Sequence, residues 1–378
     1  MKKQNQLDWL QLYRSENVGP VTFANLLKRF GTAKEALNAI PEIVRRAGGK
    51  RSPKLCPRSV AEQEMAAVES FGARLLCGFE DEFPTLLGHI GDSPPVLAVK
   101  GHLSLLSRDS IGIVGARNAS QNARRFTQYM SKELGGRGYV VTSGVARGID
   151  TAAHAAALDT GTIGVIAGGI DTVYPKENAG LQTSIVERGL LIAEAPFGAQ
   201  PIARNFPKRN RIIAGLSKGV LVVEAALKSG SLITARLANE YGREVFAVPG
   251  FPTDPRGAGC NQLIKNGAAL VETPQDLISA LELLRQNLQE PASDLFEFAY
   301  KSTKSGADFD EKQIEIARAE LKNLIGPASI TVDELVSECQ FSASLIQAAL
   351  TELELVGHIE RLPGNRVAQI LSNFNEPR

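Results

Sequence analysis

The chain has 378 residues, 43% hydrophobic and 22% charged, with few aromatics; this is a globular composition, which excludes a fibrous or wholly disordered chain and predicts two or three domains. Forty-two Lys and Arg stand against 41 Asp and Glu, a net charge of +1. Attraction for a polyanion must therefore come from local clustering and not from the total.

From Leu7 to about Leu76 apolar residues recur at helical spacing (Leu7, Leu10, Leu26, Leu27, Phe30, Leu37, Ile40, Val44), broken by short turns with Gly and Pro. A small helical domain over residues 1–80 is expected. Its Asn17-Val18-Gly19-Pro20 turn has the form of a helix-hairpin-helix, which holds a DNA backbone through main-chain amides, although any hairpin of two helices can use such a turn. Residues 81–110 carry Pro84, Pro94 and Pro95 and read as an extended lead-in. Apolar runs at Ile111–Val114, Tyr139–Thr142, Thr162–Ala167, Leu190–Ala193, Val220–Val223 and Glu244–Val248 then alternate with helical patterns at Asn122–Leu134, Thr151–Leu158, Leu181–Arg188, Asn210–Leu216 and Leu232–Tyr241. Strands apolar enough for burial on both faces, alternating with helices, predict an α/β core over 81–284: a Rossmann-like, doubly wound parallel sheet. The polar stretch 285–310 reads as a linker. Residues 311–378 show helices at Gln313–Leu324, Thr331–Cys339 and Ser342–Leu355, then His358–Arg361, a Pro363-Gly364-Asn365 turn and a strand at Arg366–Ile370, the pattern of a winged helix.

Cys56, Cys77, Cys260 and Cys339 form no C-x-x-C pair and have no histidine at ligand spacing, so neither disulfides nor a metal site is expected. No stretch approaches the ~18 apolar residues of a membrane span, and the first residues lack a signal peptide's apolar core. A cytoplasmic protein without a membrane partner is expected.

Ligands of a doubly wound sheet bind at the carboxyl ends of its strands, where helix N-termini offer amides to anions. After the first core strand, Gly115-Ala116-Arg117-Asn118-Ala119-Ser120 offers a glycine for close approach, an arginine for charge and a serine to cap the helix. It is not a G-x-G-x-x-G, and no acidic residue ends the next strand, so no dinucleotide cofactor is expected. After the second, Ser143-Gly144-Val145-Ala146-Arg147-Gly148 has what phosphate binding by amides and guanidinium needs, and equally what a plain strand-to-helix turn needs. Asp150 and His154 stand four apart on the next helix; with no third ligand visible, capping and packing fit them better than catalysis or metal binding. Between Glu194 and Glu224 no acidic residue occurs, yet Arg204, Lys208, Arg209, Arg211 and Lys218 do. Phe206 within this run can stack on a base while the cations meet phosphates. Taken with Arg117 and Arg147 at the same sheet edge, the cluster points to a polyanion and outweighs a merely solvated basic turn. Ser229-Gly230-Ser231 reads as a helix cap and Ala247–Pro252 as scaffold. Residues 342–357, the second helix of the winged helix, hold Glu352 and Glu354 and no Lys or Arg. Duplex readout by that helix is not expected, and protein contact or packing fits better, with Arg361 and Arg366 as candidates for a weak backbone contact.

The segments IGIVGARNAS, VVTSGVARGIDTAAHAAAL, IAGGIDTVYPKEN, FPKRNRIIAGLS, VLVVEAALKSGSLITARLANEYGREVFAVPG and GCNQLIKNGAALV, in this order and spacing, resemble the DNA-processing protein A (DprA, Smf) family over roughly residues 80–280. The resemblance implies a protein that catalyses no reaction. It implies a Rossmann-like core that binds single-stranded DNA in a basic pocket and forms a homodimer, with 261–271 in the dimerising part. It further implies interaction with the RecA recombinase, loaded in place of single-strand binding protein, and protection of incoming DNA in natural transformation. Flanking units of sterile-alpha-motif-like and winged-helix type occur in some members. Matching positions place the pocket at Gly115, Arg117, Ser143, Gly144, Arg147, Lys208, Arg209 and Arg211. Asn122-Ala123 stands where the family often has an aromatic residue and glycine, a departure from the family's pattern in the first loop. The alternative is a nucleotide phosphoribohydrolase on a similar sheet; its P-G-G-x-G-T-x-x-E run is missing from Glu224–Thr234, and no glutamate follows before Glu240.

Overall fold

The computed structural model describes residues 2–49, 54–287, 311–362 and 364–370. The chain divides into two compact units, one of Glu64–Phe298 and one that joins Met1–Gln63 to Ala299–Arg378. Most of the expected linker at 285–310 lies outside the described residues; its first three residues end a helix, Pro274–Asn287.

The core unit holds β1 (Arg74–Cys77), β2 (Val96–Gly101), β3 (Ser110–Gly115), β4 (Val140–Ser143), β5 (Thr162–Ile166), β6 (Leu190–Ala193), β7 (Gly219–Val223), β8 (Glu244–Ala247) and β9 (Ala269–Leu270). They form one sheet in the order β1-β2-β6-β5-β4-β3-β7-β8-β9. From β6 to β9 every pair is parallel, whereas β2 runs antiparallel to both β1 and β6. The expected doubly wound sheet is therefore present, extended at one edge by an antiparallel hairpin. Residues 81–110, expected as an extended lead-in, contribute the strand β2, whereas β1 belongs to the sheet and not to a helical domain reaching residue 80. Short runs such as Arg74-Leu75-Leu76-Cys77 carry no periodicity that separates strand from helix; pairing with β2 decides.

Alternating side chains of each strand fill two apolar layers, because successive Cβ atoms point to opposite faces. Val220 and Val222 join Ile212, Ile213 and Ala235 on one side. Leu221 and Val223 join Met130, Leu134, Ile149 and Leu277 on the other. Fully burying each such aliphatic side chain contributes about 1.5–3 kcal/mol, so both faces need their helices.

The second unit contains helices Lys2–Tyr13, Pro20–Phe30 and Ala33–Arg46, and a winged helix. The winged helix is built from Glu311–Leu324, Val332–Glu338 and Ala343–Leu355 with β10 (Ile330–Thr331), β11 (Ile359–Leu362) and β12 (Arg366–Gln369). Its strands pair in the order β10-β12-β11, around Leu321, Leu335, Ile346, Leu350 and Val367. Gly364 and Asn365, with φ of 84° and 53°, make the turn expected there; Pro363 lies outside the described residues. No described helix is long and apolar enough to cross a membrane.

Candidate nucleic-acid interface

The chain leaves β3 for β4, β5 and β6 on one side, then returns to β7 on the other, so the switch of direction falls between β3 and β7. That crevice is closed. Ala116 N–H donates to Glu224 O at 2.8 Å, Ser120 N–H donates to Glu224 Oε2 at 2.7 Å, and Arg256 lies 3.4 Å from the other carboxylate oxygen. Glu224 takes φ 55° to reach them. A Cβ on Gly115 would fall 1.9 Å from Val223 O, so the contact between β3 and β7 requires a glycine there.

The open cleft lies beside this seam, over the ends of β4 and β5. It is lined by Arg117, Gly144, Ala146, Arg147, Gly168, Thr172, Tyr174, Pro175, Phe206 and Arg209 among others. Three of the cations come from three elements: the loop after β3, the loop after β4, and the helix Asn205–Leu216. That helix begins at Asn205, so the basic run is helical and not a turn. Pro207 is tolerated because the first helical turn has no intrahelical use for its N–H. The helix buries Ile212 and Ile213 on the sheet and thereby sets the direction of Arg209.

Arg209 is the floor of the cleft, only 6% exposed. Its Nη1 donates to Val165 O at 3.3 Å and lies 4.0 Å from Asp150 Oδ2, while its Nε has no hydrogen-bond partner. Burial lowers the guanidinium pKa, against the opposing Asp150 carboxylate; an arginine nevertheless keeps its charge. Phe206 stands beside it, its ring centroid 5.9 Å from Arg209 Cζ and 5.1 Å from Arg117 Cζ. Tyr174 meets Phe206 edge to face at 5.8 Å. Arg147 is an exposed cation, 62% accessible and 3.8 Å from Glu177.

The loop after β4 binds inward, which favours the strand-to-helix turn of the two readings left open for its amides. Gly144 N–H and Ala146 N–H both donate to Asp150 Oδ2 at 3.2 Å, and Val145 N–H donates to His154 Nε2 at 3.4 Å. Asn178 Nδ2 donates to Val145 O and Ala146 O at 2.9 and 3.1 Å. These bonds hold Val145 at φ 57°, a costly conformation for a β-branched residue. Asp150 and His154 are thus used for packing and loop support, as expected of them. His154 is fully buried, and desolvation together with Arg209 pulls its pKa down to about 3. Burial pushes Asp150 up, opposed first by Arg209.

Of the eight pocket positions, Arg117, Gly144, Arg147 and Arg209 line the cleft. Ser143 is buried beneath it, its hydroxyl donating to Ile113 O at 2.6 Å. Lys208 is exposed on the same helix, outside the lining. Arg211 turns away: it pairs with Glu194 and donates to Asp92 O at 2.6 Å, because residues two apart on a helix face different directions. Tyr174, Thr172 and Pro175 were missed as site residues, although they sit inside the quoted segment IAGGIDTVYPKEN. Ser120 and Ser229 cap their helices, accepting from Ala123 N–H and Ser231 N–H. The wing arginines are engaged internally, Arg361 with Glu354 and Gln347 and Arg366 with Ser329. Among the described residues no three His, Cys, Asp or Glu side chains converge as a metal site.

Comparison with known proteins bears on the same segments. Residues 74–282 match the family described as DNA recombination-mediator protein A, residues 3–67 a DprA-like N-terminal HHH domain, and residues 307–365 a DprA winged helix domain. Protein Smf of Escherichia coli K12 is 38% identical over 314 residues, 82% of this chain and 81% of its own. The crystal structure of DNA processing protein A from Streptococcus pneumoniae superposes with a TM-score of 0.58 at 34% identity, covering 72% of this chain and 95% of that one. A structure of DNA processing protein A from Helicobacter pylori, described for its single-stranded DNA binding mode, gives 0.52 at 30% identity over 57% of this chain and 96% of that one. With more than half its length matched by the core profile and both flanking units matched as well, the chain belongs to the DNA recombination-mediator protein A family.

Proposed function

We propose that this protein binds single-stranded DNA in the cleft over β4 and β5, protects it, and passes it to the RecA recombinase, without catalysing a reaction. The observation that carries the reading is Arg209: a buried guanidinium with an unpartnered Nε, set among two further arginines and two aromatic rings. Such a floor attracts a phosphate, and Phe206 and Tyr174 supply faces on which any base can stack. The relative from Helicobacter pylori is described as binding single-stranded DNA, which supports the same ligand here. Gly144, Arg117, Arg147, Lys208 and Arg209 are proposed as contacts or their immediate neighbours; Gly115, Ser143 and Arg211 act by holding the cleft. A homodimer through the core, with two clefts on one strand or two, would add avidity. Action in the cytoplasm during uptake and recombination of DNA follows from this role.

The phosphoribohydrolase alternative lacks an observation in its favour: Glu224 is engaged by Ser120 and Arg256 and lies outside the cleft lining. Fluorescence anisotropy with single-stranded and duplex oligonucleotides of equal length, across a salt series, tests the reading. A preference for single strands is expected, with log affinity falling against log salt by ~0.7 per phosphate neutralised. Arg147→Glu is expected to weaken binding at least tenfold for every sequence tried, because phosphate contacts do not read bases. Equal affinity for both oligonucleotides, or an unchanged Arg147→Glu variant, counts against the cleft. RecA loading is then read from filament assembly on strands covered by single-strand binding protein.

A further inference from the structure

The two terminal segments form one unit; beside the bonds of Arg46 with Glu311 and of Arg318 Nη2 to Arg46 O at 3.1 Å, the contact between them is made by the helix that a winged helix ordinarily uses to read DNA. Glu352 and Glu354 on Ala343–Leu355 are 5% and 9% exposed. Glu352 receives Arg29 at 3.1 Å and Arg318 at 2.6 Å. Glu354 accepts a hydrogen bond from Thr22, and from Arg361 at 3.1 Å. Asn25 Nδ2 donates to Thr351 Oγ1 at 3.0 Å, and Asn17 Nδ2 donates to Leu355 O at 3.3 Å.

Asn17, Thr22, Asn25 and Arg29 lie along the hairpin turn and the helix Pro20–Phe30 that follows it. That helix has no acidic residue in its first turn and no side-chain cap. Its positive end is met instead by Glu354, whose Oε1 would lie 3.6 Å from a Cβ on Gly19. A hairpin turn leading into a helix N-terminus is where a helix-hairpin-helix takes a backbone phosphate. Here an anion from another domain already sits there. Charge is complementary across the contact: residues 2–49 hold eight Lys and Arg against four Asp and Glu, and residues 311–370 hold five against nine.

We propose that the winged helix masks the hairpin face of the first domain, with Glu352 and Glu354 standing in for backbone phosphates. Duplex DNA engages Thr22, Asn25 and Arg29 only when this clasp opens. The acids on the second helix, which make it a poor reader of a groove, are then the parts that close the lobe.

The test uses the full chain carrying Arg117→Ala and Arg147→Ala, which weakens the core cleft, and compares every variant within that background, so that the proposal stands or falls apart from the function proposed above. Adding Glu352→Gln with Glu354→Gln is expected to raise affinity for a fluorescent ~20-base-pair duplex at least tenfold at low salt, against no more than twofold for Glu315→Gln with Glu360→Gln, an equal change of charge at exposed positions. Amides of residues 22–26 and 351–355 are expected to exchange hydrogen faster, and Arg29→Ala to abolish the gain in affinity. Thr351→Val removes the acceptor of Asn25 on the winged-helix side, leaves both acids and every proposed DNA contact in place, and is expected to shift exchange and affinity in the same direction. Faster exchange without tighter duplex binding overturns the proposal, as does an equal gain in the control pair or a gain that survives Arg29→Ala. Unchanged exchange in both loosened variants overturns it too.

Discussion

Gly144 has no room for a side chain: a Cβ there would lie 1.3 Å from Arg209 Nη1. The obstructed atom is the end of a side chain and not backbone, so Gly144→Ala is expected to displace the guanidinium while sparing the fold. Affinity for single-stranded DNA should fall about tenfold or more, near 1.4 kcal/mol, with the melting temperature nearly unchanged; an unaltered affinity would remove Arg209 from the contact. His154, directly behind the same loop, sets an acid limit. Its Nδ1 bonds Thr162 Oγ1 at 2.7 Å, and Thr162 itself donates to Val141 O, so the ring is neutral with its proton on Nδ1. The unfolded chain takes up a proton below about 6.5, whereas the folded histidine does so only near 3. Stability is therefore lost as pH falls through this window, by up to about 5 kcal/mol. Asp150 works in the opposite sense, since burial raises its pKa and its protonation favours the folded state. Replacing His154 with Gln should flatten the loss between pH 6.5 and 4 in denaturant titrations, and identical slopes would exclude it as the source.

The helix Asn205–Leu216 carries both the cations and their support, and Arg211 shows how. Its guanidinium, 7% exposed, pairs with Glu194 at the end of β6 and with the backbone of Asp92, and Tyr241 donates to Asp92 Oδ1 at 2.7 Å. Removing Arg211 alone takes a cation from the Glu194 carboxylate, which is only 13% exposed. Arg211→Leu is expected to destabilise the core by about 3–5 kcal/mol, and Glu194→Leu in the same chain to restore most of that loss, as measured by denaturant unfolding. The double variant should still bind single-stranded DNA, because Arg209 and Lys208 keep their helix. Loss of binding in a well-folded double variant would return Arg211 to the contact set.

Two separate apolar cores imply two unfolding events, since multidomain chains depart from all-or-none behaviour. The cysteines report on them. Cys77 and Cys260 are buried in the core unit, Cys56 and Cys339 in the terminal unit; burial also pushes the Cys260 thiol up to about 11, away from its reactive thiolate. A thiol reagent should modify none of the four in the native protein, then each pair together at its own denaturant concentration. Simultaneous reaction of all four would mean one cooperative unit.

What the sequence by itself determined is what local chemistry dictates. Alternation of apolar runs with helical patterns gave the core strands after residue 110, serines at the strand ends gave the helix caps, and clustering of charge located the basic run in an otherwise neutral chain. The acids on the last long helix already argued against groove reading. Only the tertiary structure decided which way each polar group points. Gly115 and Ser143 look like ligand-loop residues in a linear reading, yet one is claimed by β7 and the other by β3. The loop amides after β4 are consumed by Asp150 and His154, and Arg211 differs from Arg209 only by its angle around the helix. Tyr174, thirty residues before the basic run begins at Arg204, joins the cleft because β5 lies beside β4. Glu352 and Glu354 acquire partners more than three hundred residues away. Spacing along a chain encodes period and propensity, whereas direction and partnership arise when separate elements are packed against one another.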